Sequence, residues 1–214
     1  MDDSTTAGER RPQHHVELDE RRATSTPERE RLLGLVVDLI LRDGVIDLSL
    51  SAISRAIGSN NRMMLYYFGS KEQILYDASV LALERFPRLV TMFDRLAGPE
   101  PLLERLDDAW LDLADPENRP YLVIFFQRFG MAMRDREQWH SYIDRATRFW
   151  AEDLAQILVV DGYRAHDAVV AATQIVAMWR GLQFALLAGA DPEVLRSGYA
   201  EGVRGLLARY APLR

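Results

Sequence analysis

Between Asn60 and Lys71 the chain places Asn60, Asn61, Arg62 and Met63, then Tyr66 and Tyr67, and then its only lysine, Lys71. An asparagine amide pairs with adenine through two hydrogen bonds and an arginine pairs likewise with guanine, so the first residues of this set suit the reading of base edges. A lysine suits contact with phosphate. From residue types alone, Asn60 to Arg62 fit a polar, solvated helix start equally well, so the surrounding elements must decide.

Those elements read as a helix–turn–helix. Ser49 caps a short helix whose Ile53 and Ile57 lie one turn apart. Gly58 suits a turn at positive φ, and the small Ser54 lets two helices approach closely. Ser59 or Asn60 caps the second helix, in which Met64 and Phe68 turn toward Ile53 and Ile57 and leave Asn60, Asn61, Arg62, Met63 and Tyr66 outward. Gly69-Ser70-Lys71-Glu72 then leads into a further helix capped by Ser70. A lysine in a first helical turn opposes the helix dipole, and makes sense if a phosphate sits against it. Upstream, Thr26-Pro27-Glu28-Arg29-Glu30 supplies a cap, a proline at the first helical position and early acids. Leu32, Leu33, Val36, Val37, Ile40 and Leu41 follow at helical spacing, and Arg42-Asp43-Gly44 closes the helix.

The stretch SLSAISRAIGSNNRMMLYYFGSKEQIL resembles the DNA-binding domain of the TetR family of bacterial transcriptional regulators. The likeness covers residues 27–75 in order and spacing; beyond them only the length and helical texture match. It implies that Asn60, Asn61, Arg62 and Met63 face bases, that Tyr66 and Tyr67 approach the backbone or a base edge, and that Ser49, Ser51 and Lys71 lie near phosphate. Ser59 stands where the family commonly has an apolar residue, and Leu65 where it often has a tyrosine, which puts the phosphate contact at Leu65 in doubt.

The formal net charge of −6 is unusual for a nucleic-acid binder. Within residues 27–75, however, Glu28, Glu30, Asp38, Asp43, Asp47 and Glu72 balance Arg29, Arg31, Arg42, Arg55, Arg62 and Lys71, so the acidity lies elsewhere. What a phosphate backbone meets is the facing surface, not the chain average. The absence of cysteine excludes disulfides, thiolate nucleophiles and cysteine-ligated zinc, and the polar N-terminus lacks the apolar run of a secretory signal. An intracellular, cytoplasmic protein is expected. Ala168 to Ala190, the most apolar segment, is interrupted by Gln174, Arg180 and Gln183 and is read as no membrane span.

The expected fold class is all-α: a flexible tail over 1–26, a three-helix DNA-binding domain over 27–75, and an effector-binding and dimerisation bundle over 76–214, with about nine helices in all. Tyr121 to Phe126 is a continuous apolar run that continues without turn chemistry, which favours helix. In the family the middle helices carry an effector cavity. The candidates for it are Trp110, Tyr121, Phe125, Phe126, Phe129, Met133, Trp139, Phe149, Trp150 and Trp179, with Met131 beside them. Each taken singly is explained by core packing; as a group they favour an apolar or aromatic effector. Ala168 to Ala188 is apolar on nearly all sides, and Val194 to Tyr210 carries Gly198, Gly202 and Gly205. Both read as core helices by pattern, and the resemblance implies that they form the four-helix bundle of a homodimer reading a near-palindromic operator.

No enzyme pattern competes. Asp107, Asp108, Asp112, Asp115 and Glu117 do not converge on one helical face as metal ligands would, His140 and His166 are isolated, and the pair His14-His15 lies in the polar tail. No phosphate loop, dinucleotide fingerprint or serine elbow is present. No cofactor and no metal are expected. The role expected is a repressor released by a small effector; a helical small-molecule carrier or interaction module is the alternative.

Overall fold

The computed structural model describes residues 26–45, 48–134, 137 and 143–210. The tail up to position 25, Asp47, Trp139 and His140 lie outside the described residues. Among those described there is no strand, and eleven α-helices follow one another: α1 (Pro27–Asp43), α2 (Leu50–Ala56), α3 (Asn61–Phe68), α4 (Lys71–Leu83), α5 (Pro87–Val90), α6 (Met92–Leu96), α7 (Leu102–Ala114), α8 (Arg119–Arg134), α9 (Trp150–Val160), α10 (Ala165–Leu187) and α11 (Pro192–Arg209). A 3-10 turn, Pro116–Asn118, precedes α8, and a wide π-type turn, Arg145–Phe149, precedes α9. The protein is all-α as expected, with more helices than the nine read from the sequence. Part of the surplus is at Pro87–Leu96, where the chain bends at Thr91 into two helices of about one turn each.

Local chemistry sets the first helices. Thr26 accepts the Arg29 backbone N–H at 3.3 Å, Pro27 opens α1, and Gly44 at φ +78° ends it. The Ser49, Asn60 and Ser70 side chains cap α2, α3 and α4 in turn, each accepting a backbone N–H three residues ahead. Each cap satisfies an N–H that the helix itself leaves unpaired. The apolar faces of α1 to α4 close on one core of Leu32, Val36, Ile40, Ile53, Met64, Phe68, Ile74 and Ala78. Arg29 pairs with the buried carboxylate of Asp77, which also accepts from Gln73 at 2.8 Å, and its guanidinium lies 4.9 Å from the Phe68 ring. That pair fastens α1 to α4 at the end of α3.

The second core joins α5, α6, α7, α9, α10 and α11 around Trp110, Leu106, Leu158, Ile175, Trp179 and Tyr199. The Trp179 indole donates to the Tyr199 hydroxyl at 3.0 Å, and that hydroxyl donates to the Leu106 carbonyl at 2.9 Å. Burial raises the Tyr199 pKa, so the hydroxyl keeps the proton this chain of bonds requires. Two charged clamps brace the bundle. Asp112, buried on α7, accepts from Arg88 at 2.7 Å and from Arg95. Arg105 donates twice to Asp161, at 2.8 and 2.6 Å, and also to the carbonyls of Glu100 and Leu96. Helix α10 is long and apolar enough to cross a membrane by length and composition alone. In the fold its Ala168, Ala171, Ala172, Ile175 and Trp179 are buried in this core.

Helix α8 belongs to both halves. Ile124 is part of the first core, Tyr121 packs against both cores, and Gln127 accepts the Val45 backbone N–H at 2.8 Å. A Cβ on Gly44 would stand 2.7 Å from the Gln127 Oε1, so the end of α1 fits closely under α8.

Gly58 and Gly130 give a prediction of opposite signs. Gly58 sits at φ +67° with open space around a would-be Cβ, so Gly58→Ala costs only backbone strain, about 1–2 kcal/mol. Gly130 lies inside α8, also in open space, and Gly130→Ala adds up to about 1 kcal/mol. Thermal melting should therefore show a fall of about 2–8 °C for the first and a small rise for the second. Shifts of the same sign would contradict the turn geometry.

Candidate DNA-reading face and internal aromatic site

The α2–α3 unit is built on two buried contacts. Ile53 and Met64 are fully enclosed, and Ser54, also buried, bonds back to the Leu50 carbonyl at 2.9 Å, so no bulky group separates the helices. The Ser59 N–H donates to the Ser54 carbonyl at 2.8 Å across Gly58, closing the turn. With Met64 and Phe68 inward, α3 presents Asn61, Arg62, Leu65 and Tyr66 to solvent, while Met63 and Tyr67 are half-buried. Tyr66 is 79% exposed and stands edge-on to Tyr67, with ring centroids 5.0 Å apart. Lys71 opens α4, with its ammonium 3.7 Å from the Glu72 carboxylate.

Several candidate residues also have local duties: the caps read from the sequence fall to Ser49 and Asn60, and Asn61 has a bond that spacing did not reveal. The Asn60 side-chain oxygen accepts the Met63 N–H, so Asn60 is the cap of α3, with its amide nitrogen and the second lone pair of that oxygen left for an outside partner. The Asn61 amide donates to the Ser51 hydroxyl at 2.9 Å, tying α3 to α2. Each amide keeps one or more N–H groups and acceptor lone pairs for an outside partner, but its orientation is set by these internal bonds. Ser49 accepts the Ala52 N–H and keeps its own hydroxyl proton to donate. Arg62, also a candidate for base reading, is exposed and has no such duty.

Pairing resolves the charge balance of this segment. Arg31 pairs with Glu28, Arg42 with Asp43 and Arg29 with Asp77, and the two exposed arginines hold the Glu28 and Asp43 carboxyls below their ordinary values. Among the described residues Arg55 and Arg62, both exposed, take part in no ion pair, which leaves positive charge on the α2–α3 surface of a neutral segment.

The aromatic candidates fall into separate places. Phe125, Phe126 and Phe129 cluster on α8, with Phe125–Phe126 and Phe125–Phe129 centroids 5.2 and 6.4 Å apart. Trp150 begins α9, edge-on to Phe93 at 5.2 Å and 6.3 Å from Trp179. Between these groups lies Arg180 of α10, its guanidinium carbon 4.4 Å from the Phe125 ring centre and 4.0 Å from that of Trp150. Tyr121 tilts against Phe86 at 5.6 Å; burial raises its pKa, with the charges of Arg128 and Arg180 acting the other way. Arg128 is buried with its guanidinium 5.3 Å from the Tyr76 ring. Trp110 belongs instead to the second core, 5.3 Å from Tyr199, where α7 turns it inward. Met133 is a correction: at 60% exposure it stands on the solvent side of α8, off the face that buries Leu122, Phe125 and Ala132. Phe149 is half-buried under the Arg148 guanidinium, 4.4 Å away. Trp139 is outside the described residues.

Sequence reading missed Arg180, Arg128 and Gln127. The available signal was an arginine inside the apolar run of α10, which must find partners if the helix is buried. A separate groove of about 470 Å³ lies between α7 and α11, lined by Glu104, Asp107, Arg196 and Arg204 among others, and none of the aromatic candidates lines it. Among the described residues no group of three His, Asp or Glu side chains could hold a metal ion.

No protein-family model matches the chain, and no curated protein sequence matches it. Solved structures do. A transcriptional regulator from Rhodococcus sp. Rha1 superposes with a TM-score of 0.68 at 15% identity, covering 87% of this chain and 99% of that one. The multidrug binding protein EbrR, complexed with imidazole, gives 0.66 at 18% identity over 89% and 98%. A TetR-like transcriptional regulator from Rhodococcus sp. RHA1 gives 0.54 at 20% over 86% and 96%. The chain has the TetR-family fold.

Proposed function

We propose that this chain, on the premise of its TetR-family fold, is a DNA-binding transcriptional regulator: a cytoplasmic, bacterial homodimer that represses until a small, largely apolar or aromatic effector binds. The observation that carries the reading is the outer face of α3, where Arg62 and Tyr66 are exposed on a helix anchored by buried Ile53 and Met64, with a further exposed arginine in no ion pair, Arg55, on α2. Residues 27–75 read DNA in this account, and 76–214 bind effector and dimerise. Arg62 reads a base edge, Met63 and Tyr66 make groove contacts, and Ser49, Ser51, Tyr67 and Lys71 approach phosphate. No catalytic role is assigned.

Exposed stripes on the last two helices support the dimer. Val169, Thr173, Ala177, Gly181 and Phe184 recur along one face of α10, with Val169 56% and Phe184 62% exposed, and Val194, Gly198, Glu201, Gly205 and Ala208 do so along α11. Thr173 bonds to the Val169 carbonyl at 2.7 Å, so its hydroxyl needs no outside partner. Small side chains on neighbouring turns permit close helix approach across a two-fold axis, which sets two copies of α3 against successive major grooves.

The aromatic cluster around Phe125 and Trp150 supports the effector site. EbrR has also been solved complexed with malachite green, at a TM-score of 0.61 and 16% identity. Helix α8 carries Phe125, Phe126 and Phe129 and, through Gln127 and Ile124, also touches α1 and its core. An effector that favours a different placement of α8 would thereby bias the spacing of the two α3 helices. A coupling of about 1–3 kcal/mol corresponds to roughly 5–150-fold weaker DNA binding. Titrating a genome fragment that the protein enriches, with and without a compound that quenches its tryptophans, should show that loss. A bound compound that leaves DNA affinity unchanged would contradict the release mechanism. The carrier reading predicts DNA binding that is absent or indifferent to sequence.

A further inference from the structure

Among the described residues between 27 and 75, the large apolar side chains that stand exposed are Leu65, 43% exposed, and Tyr66, and they are neighbours on α3. Tyr66 has a hydroxyl to offer a polar partner, whereas Leu65 has no polar atom on its side chain. Single exposed leucines are common on protein surfaces, so exposure alone assigns nothing. The place of this one on α3 is what matters. Met64 and Phe68 are buried, which fixes the rotation of the helix, and the Asn61 amide bonded to Ser51 ties its first turn to α2. Leu65 therefore shares the outer face with exposed Arg62, three residues before it, and exposed Asn61, four before it.

If that face enters a major groove, Leu65 gives up its water to whatever it meets there. Against a phosphate oxygen an alkyl side chain makes no hydrogen bond and strips hydration from a charge, which is unfavourable. Base edges in the major groove present donors and acceptors, and the apolar group among them is the C5-methyl of thymine. We propose that Leu65 is a specificity-determining residue of α3 and that the group it reads is a thymine methyl. This deepens the regulator reading, rests on it, and adds a second base pair to the one assigned to Arg62. Residues three apart are separated by about 4.5 Å along a helix axis, and successive stacked base pairs by about 3.4 Å. The thymine therefore lies one or two base pairs from the guanine that Arg62 reads. Arg62 selects its base by hydrogen bonds and Leu65 selects its neighbour by burial of a methyl group, so the two discriminate by different chemistry. Deoxyribose carbons are the competing apolar surface, and contact with them would favour no sequence.

Uracil in place of thymine tests the contact, because it pairs as thymine does and lacks only the methyl. The site enriched from genome fragments is synthesised with deoxyuridine at each thymine of the half-site in turn, and the full chain is titrated against each form. At one position affinity should fall about 15-fold with both half-sites changed and about 4-fold with one, the worth of burying two methyl groups or one. Leu65→Ala should bind the thymine form more weakly than the unaltered chain and bind the thymine and uracil forms equally. Its helical circular dichroism should be unchanged, since the side chain is exposed and alanine favours helix. Uracil that costs nothing at every position, or a loss that persists undiminished in Leu65→Ala, overturns the role of Leu65 and leaves the regulator reading standing. 5-Methylcytosine offers the same methyl, and the synthetic site contains none; binding that needs its cytosines methylated and ignores uracil would overturn thymine as the source. If no shared sequence is enriched at all, the regulator reading fails and the role of Leu65 with it.

Discussion

Arg62→Ala should lower affinity for the specific site by roughly 30-fold to 10⁴-fold and leave non-specific binding almost unchanged. One arginine–guanine pair is worth about 1–3 kcal/mol, and a two-fold dimer loses it in both half-sites, so the range is about 2–6 kcal/mol. Arg62 is chosen because, unlike Asn60 and Asn61, it is committed to no hydrogen bond within the helix–turn–helix. Preference at one base pair per half-site should disappear with it. Lys71→Ala should behave differently, weakening all sequences alike and reducing the salt slope by about 2 for the two phosphate contacts of a dimer. Binding to a set of single-base variants of the site, at several salt concentrations, distinguishes them. Identical profiles for the two variants would contradict the division of roles.

Ala177→Asp should dissociate the dimer and reduce specific DNA affinity by about 10³-fold or more. Ala177 is exposed on α10 between Thr173 and Gly181, so in a single chain the new carboxylate stays in water and folding is little affected. In the proposed dimer the same carboxylate, and its copy across the axis, would be buried near one another without partners, at a cost of several kcal/mol each. A lone protomer then keeps one half-site's contacts and falls toward the non-specific level. Sedimentation should report half the mass with unchanged helical content. A variant that stays dimeric, or one that becomes monomeric yet binds its site as before, would place the two-fold contact elsewhere.

Most of the first core was legible in sequence because its signals are local. Thr26, Pro27, Gly44, Ser49, Gly58 and Ser70 are caps and turns whose chemistry is decided within a few residues, and Ile53, Met64 and Phe68 follow helical spacing. The apolar run from Tyr121 could be placed in a helix because no turn chemistry interrupts it, and α8 contains it. Side-chain bonds were not legible where the partners are distant in sequence. Arg29 reaches Asp77, Arg105 reaches Asp161 and Gln127 reaches Val45, and no periodicity encodes such pairs. The asparagines show a subtler failure. Their residue types suit both base reading and helix capping, the sequence left the cap to Ser59 or Asn60, and the backbone geometry assigns it to Asn60. The aromatic residues were grouped by type, whereas the fold sends Trp110 into the core beside Tyr199, Met133 to solvent, and Phe125 and Trp150 to opposite sides of an arginine.

The central claim is that the outer face of α3 reads a DNA sequence. The most direct test is to incubate the purified protein with fragments of its source genome, recover and sequence the bound DNA, and repeat at higher salt. The account predicts enrichment of one near-palindromic sequence, with half-sites about one helical turn apart or a multiple of it, weakening as salt rises. Recovery of fragments without a shared sequence at every salt concentration would contradict it, and Asn61, Arg62 and Tyr66 would then be an ordinary solvated helix face.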